Sequence, residues 1–206
     1  MSLFSRLGEK SWETPGVPAE DPASYRPEAA RVGLIVYFLV ATFLFLLVTS
    51  AYFMRMGVEA GHGSHGSTGD WHPMPEPPLI WINTAVLMMA SLAWEAARAM
   101  GRRGMAAPMR TAFLSAGLFG LLFLAGQLLL WRDYAAAGYF LAANPANSFF
   151  YLLTALHGLH IAGGLFFWLR ALLRPRGAPL PVELCAAYWH FLLLVWLAML
   201  ALLVST

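Results

Sequence analysis

Apolar stretches of about twenty residues recur along the chain, and the polar positions gather between them. Val32 to Met54 carries no charged side chain and is closed by Arg31 and Arg55. A second stretch, about Leu79 to Ala97, follows the proline-rich Pro73-Met-Pro-Glu-Pro-Pro78 and holds one acid, Glu95, near its far end. A third runs from Thr111 to Trp131 between Arg110 and Arg132. A fourth, about Phe149 to Leu169, lies between Asn144-Pro145-Ala146-Asn147 and Arg170. The fifth extends from Leu184 to about Val204. A bilayer core is crossed by roughly 20 apolar residues in helical form. Backbone groups in lipid must bond within their own segment, so stretches of this kind predict helices rather than strands. The expected fold class is therefore all-α: an integral membrane bundle of five transmembrane helices over about 32–54, 79–97, 111–131, 149–169 and 184–204, within a domain of residues 32–206.

Basic residues in alternate loops set the orientation. The first 31 residues hold Arg6, Lys10, Arg26 and Arg31. The second-to-third connection holds Arg98, Arg102, Arg103 and Arg110, and the fourth-to-fifth holds Arg170, Arg174 and Arg176. The other side has only Arg55 and Arg132. This asymmetry predicts a cytoplasmic N-terminus and, after five crossings, a C-terminus outside. Residues 1–31 scatter Pro, Glu and Ser without an apolar core, so they read as a cytoplasmic tail and not as a cleavable secretion signal.

Composition narrows the chemistry. Charged residues make up 12% of the chain and hydrophobic residues 59%, where soluble domains carry about 25% charged residues. The net charge of +2 gives no footprint for nucleic acid. A lone cysteine, Cys185, excludes an internal disulfide and any Cys-x-x-Cys metal or haem-attachment motif. Glu95 is the one acid inside a span, whereas transporters and pumps place ionisable groups along their paths. A transporter core is thus disfavoured.

Three histidines lie within spans. His157 and His160 are three apart on one helix face, and His190 follows in Ala-Tyr-Trp-His-Phe. Together they could begin a copper, zinc or haem site, but no supporting carboxylate accompanies them. The simpler reading is three core imidazoles hydrogen-bonding neighbouring helices, as polar side chains do in lipid. Ala116–Gly120 and Gly158–Ala162 have small-xxx-small spacing suited to close helix contact. Trp71, Trp81, Trp131, Tyr134, Trp168 and Trp189 fall near helix ends, as interfacial belts do. The outer loop carries His62, His65 and His72 with Glu59, Asp70 and Glu76, matching no defined metal motif, and reads as a solvated glycine-rich loop.

Two motifs carry a family resemblance. Phe150 to Gly164, FYLLTALHGLHIAGG, resembles the Thr-Gly-x-His-Gly-x-His-x-x-x-Gly stretch of subunit III of haem-copper terminal oxidases. Tyr188-Trp189-His190-Phe191 with Val195-Trp196 resembles that family's last helix. Ile82-Asn83-Thr84 after the proline cluster and Gly126-Gln127 are similar as well. The resemblance covers about residues 32 to 204, in the short five-helix form of cytochrome c oxidase subunit III.

The resemblance implies an accessory, metal-free subunit packed against catalytic subunit I, and subunit II, of a respiratory oxidase in the bacterial inner membrane. Haem and copper would reside in those partner subunits, structural phospholipids would be bound, and no nucleic acid would be involved. Catalytic, cofactor and metal residues are then none. Asn83, Gln127, Thr154, His157, His160, Tyr188, Trp189 and His190 become packing and hydrogen-bonding residues. Acids usual in the family are replaced by Val40-Ala41, Leu193 and a position near Leu130, which favours assembly and stability over proton uptake. The competing readings are a subunit-III-like partner of a quinol oxidase or nitric oxide reductase, and a self-sufficient His-ligated membrane haem or metal protein.

Overall fold

The computed structural model describes residues 27–62, 75–173 and 181–205. They form five helices, α1 (Pro27–His62), α2 (Pro78–Arg102), α3 (Ala106–Ala136), α4 (Pro145–Leu172) and α5 (Val182–Ser205), with no strand among the described residues. Each helix is long and apolar enough to cross a membrane. The chain divides into residues 1–33 and residues 34–206. Of the first unit only the opening of α1 is described, and the packing below belongs to the second.

All five helices overrun the apolar stretches that announce them. A flanking arginine does not end a helix, because its long side chain reaches the headgroups while its backbone stays in the ladder. The ends are set by backbone chemistry instead. α2 starts with Pro78 at its first position after an extended Pro77, where the missing N–H costs nothing. α4 starts the same way at Pro145, and the Asn144 side chain accepts from the Ala146 N–H at 3.0 Å, an N-cap bond. The turns after α2 and α3 use Gly104 and Gly138 at φ 71° and 90°, a region that favours residues without a Cβ.

α2 packs along α3, α5 against both α2 and α4, and α4 against α3. α1 joins through rings: Phe38 stacks on Phe191 with centroids 4.3 Å apart, Phe45 meets His160, and Tyr52 meets Phe149 edge-on. Trp94, Trp189, Trp196, Phe113 and Phe123 fill the interior. Leu47, Leu159, Phe167 and Leu194 point outward, each about two-thirds exposed. Such an apolar exterior suits lipid and would be a liability in water.

Candidate functional site

Several buried polar side chains of the spans join helix to helix. On α2, Asn83 and Thr84 are buried. Asn83 donates to the Gln127 side-chain oxygen on α3 at 3.3 Å. Thr84 donates to Ile80 O one turn back and accepts from the Trp196 indole N–H on α5 at 2.9 Å. Trp131 on α3 donates to Thr154 Oγ1 on α4 at 3.1 Å, while the Thr154 proton goes to Phe150 O. Trp168 on α4 donates to Phe113 O on α3. Tyr188 on α5 donates to His160 O on α4 at 2.7 Å, so the 3.1 Å contact between Tyr37 and Tyr188 hydroxyls is a donation from Tyr37 on α1. Every packed pair of helices thus carries a hydrogen bond or a ring contact that fixes their relative register.

A second polar group lies nearer the Arg102 end of α2. His190 Nε2 approaches Glu95 Oε2 at 3.2 Å, and its Nδ1 lies 2.5 Å from Ser91 Oγ. A carboxylate only accepts, so Nε2 carries the hydrogen, and in the neutral ring Nδ1 accepts from the Ser91 hydroxyl. Arg98 closes the group with an ion pair to Glu95 Oε1 at 2.9 Å. Arg102 pairs with Glu183 at the start of α5, also at 2.9 Å. Glu95 is expected near an interface from sequence, and the fold adds partners on two sides. The i,i+3 spacing to Arg98 is its one sequence signal; the bond to His190 needs the helix pairing.

The three span histidines part company. His160 donates from Nδ1 to Leu156 O within its own helix. His157 is fully buried among the rings of Phe45, Phe123 and Trp196, and neither ring nitrogen has a partner among the described residues. His190 thus hydrogen-bonds across helices, and His157, among aromatic rings, makes no hydrogen bond with the described residues. No three His, Cys, Asp or Glu side chains converge among the described residues, so His157, His160 and His190 do not form a shared donor set. Of the outer-loop group, His65, Asp70 and His72 lie outside the described residues, as do Trp71 and residues 1–26 of the tail.

Two patterns act differently from their sequence reading. Trp189 and Tyr134 are core residues, at 1% and 5% exposure, rather than members of a belt; Trp81, half exposed, keeps the interfacial position. Gly120 seats the Trp189 ring, since a Cβ there would meet Cζ3 at 3.0 Å. At Gly158, by contrast, a Cβ would meet only Leu124 at 3.7 Å, an ordinary contact. The close approach on α4 is at Gly164, against Tyr188. Ala41 and Leu130 are buried and Leu193 packs on the core.

A family model described as cytochrome c oxidase subunit III matches residues 25–205. A probable cytochrome c oxidase subunit 3 of Mycobacterium tuberculosis (strain CDC 1551 / Oshkosh) is 29% identical over 183 residues, covering 84% of this chain and 86% of the relative. The cytochrome c oxidase subunit 3 of Synechocystis is 28% identical over 180 residues, 84% of this chain and 74% of the relative. That of Thermostichus vulcanus is 26% identical over 192 residues, 90% and 91% of the two chains.

Proposed function

The chain belongs to the cytochrome c oxidase subunit III family, and from that membership we propose how it serves its complex. It is an accessory subunit III of a haem-copper oxidase, and a multi-pass integral membrane protein. In the proposed arrangement it stands against catalytic subunit I and, beside it, subunit II in a bacterial inner membrane, with phospholipids at its surface. Haem and copper belong to those partners, and this chain holds neither. In this reading the N-terminus faces the cytoplasm and the C-terminus the outside, which the arginine asymmetry supports.

The contribution of the chain's own residues is mechanical. Asn83, Gln127, Thr154, His160, Tyr188 and His190 serve as hydrogen-bonding residues of the five-helix packing, with His157 and Trp189 filling its interior. Helices held this way present an apolar face to the catalytic subunit. The observation that carries the reading is the family match from residue 25 to residue 205. The pairing of Asn83 with Gln127, Thr84 with Trp196 and Trp131 with Thr154 across helices supports it, because these neutral groups give no ionisable path across the helices. Affinity purification of a tagged chain after mild detergent extraction is the test. Recovery with haem-containing subunits supports the proposal, and recovery of the chain without any haem protein defeats it.

A further inference from the structure

Two buried polar side chains keep hydrogen-bonding capacity that no described residue takes up. Gln127 on α3, 2% exposed, accepts from Asn83 at 3.3 Å through its oxygen, while its amide nitrogen has no partner among the described residues. His157 on α4, fully buried, has none at either ring nitrogen. Polar groups orphaned inside a protein are costly and few. Two of them on facing helices call for one shared explanation.

The helix packing brings them to one place. The contacts Trp131–Thr154, Phe123–His157 and Phe113–Trp168 pair falling numbers on α3 with rising numbers on α4, so these helices run antiparallel. Gln127 stands four residues before Trp131, and His157 three after Thr154. Both displacements run the same way from the Trp131–Thr154 bond, about 6 Å and about 4.5 Å at 1.5 Å per residue. The two side chains therefore lie at nearly one height. They also share a face, because Phe123, one turn before Gln127 on α3, meets the His157 ring edge-on at 5.8 Å. From α5, Trp196 lies 5.2 Å from His157 and donates to Thr84, the neighbour of the Asn83 that holds Gln127.

We propose that one water molecule is bound between Gln127 and His157, accepting from the Gln127 amide nitrogen and donating to the His157 nitrogen that carries no hydrogen. A ring enclosed by aromatic side chains is neutral, and a neutral imidazole accepts at one nitrogen and donates at the other. Amide donor and ring acceptor face each other at one height, yet no bond joins them. A gap longer than one hydrogen bond between such groups is the setting of a bridging water. The occupant is water and not an ion, because a neutral amide and a neutral ring supply no charge to balance one. The remaining ring N–H is left to the aromatic faces of the surround. The bridge carries the Asn83–Gln127 joint on to α4. Its bonds are offset by the ordering of the water, so it fixes the spacing of α3 and α4 more than it adds stability.

The test is an electron cryomicroscopy map of the oxidase complex containing this chain, at a resolution that shows buried waters, for wild type, His157→Phe and Gln127→Leu. The wild-type map is expected to show one rounded peak within hydrogen-bond distance of both Gln127 Nε2 and a His157 nitrogen. Each variant is expected to lose that peak while Trp131 and Thr154 stay paired. X-ray radiolytic footprinting reads the same water through Phe123 beside it. Phe123 and Phe113 are equally buried, so stronger oxidation of Phe123 in wild type, falling to the Phe113 level in His157→Phe, is the expected result. A wild-type map that resolves other buried waters and has no peak here overturns the proposal. So does a direct Gln127–His157 bond, or a peak that survives in both variants. Should His157→Phe fail to assemble, the wild-type map and the Gln127→Leu footprint decide. The inference rests on the packing of this chain alone: a preparation without haem subunits counts against the proposed function, and its map and footprint still decide the water.

Discussion

Replacing Thr84 by Val keeps the side-chain volume and removes one oxygen, which isolates the polar joint between α2 and α5. That oxygen accepts from the Trp196 indole N–H at 2.9 Å and returns its own proton to Ile80 O at 2.8 Å. Ile80 O already belongs to the α2 backbone ladder, so the second bond is of small consequence. The indole is the exposed cost: Trp196 is 1% exposed, and its ring is boxed in by Phe123 and His157 with centroids 5.0 and 5.2 Å away. It has no room to swing toward another acceptor. Stranding a buried donor costs about 1–3 kcal/mol, and interhelix hydrogen bonds in membranes measure about 0.6 to 1.7 kcal/mol. Thr84→Val is therefore expected to destabilise the subunit by about 1–2 kcal/mol. Trp196→Phe combined with Thr84→Val should show a coupling of about 0.6–1.7 kcal/mol in a double-mutant cycle. Unfolding in bicelles by increasing SDS mole fraction, followed by far-UV circular dichroism, reads both. A Thr84→Val effect below about 0.3 kcal/mol with no coupling to Trp196 would refute the argument that these buried polar pairs hold the helices together.

His157 and His190 should respond oppositely to leucine. His157→Leu removes an imidazole that has no described hydrogen-bond partner and should leave stability within about 1 kcal/mol or raise it, whereas His190→Leu takes the partner from the buried Ser91 hydroxyl and leaves Glu95 with Arg98 alone, and should lower it by about 1–2 kcal/mol, both read by the same unfolding assay. Gly164→Ala would set a Cβ 2.7 Å from Tyr188 Cε1, against a comfortable 3.5–4.0 Å. The Tyr188 ring is held by Tyr37 and His160, so a loss of about 1–3 kcal/mol is expected. Gly158→Ala serves as its control, with no loss, because only an ordinary contact is made there. Arg102→Gln breaks an exposed ion pair to Glu183 and should change thermal stability of the complex by no more than about 1 kcal/mol.

The five helices were legible because hydrophobic length is the dominant signal in lipid, and the absence of charge from residue 32 to 54 admits few alternatives. The starts of the second and fourth helices were marked by Pro78 and by Asn144-Pro145, while the ends beside arginines were not legible, since the helix runs on past them. At the site, Asn83, Gln127 and Thr154 could be singled out as polar residues in apolar runs, but which helix each one meets depends on rotation about the helix axis, which spacing leaves open. The same gap explains His157. Its neighbours Phe45, Phe123 and Trp196 come from three other helices, and nothing within Leu156-His157-Gly158 announces an aromatic cage. Trp189 and Tyr134 sit near helix ends in sequence and are nevertheless buried, Tyr134 against Pro75 and Phe150 and Trp189 against Trp94 and Gly120. Glu95 shows the converse, a visible acid whose partners across α5 emerge only from the fold.

Mild extraction of the tagged chain from its own membrane, with absorption spectra and subunit identification on the same eluate, bears most directly on the account. The expected eluate contains haem bands together with a catalytic oxidase subunit, and the chain separated from them is colourless and metal-free. An isolated chain that shows a Soret band or holds stoichiometric copper would contradict the bracing role, as would an eluate with no haem protein at all.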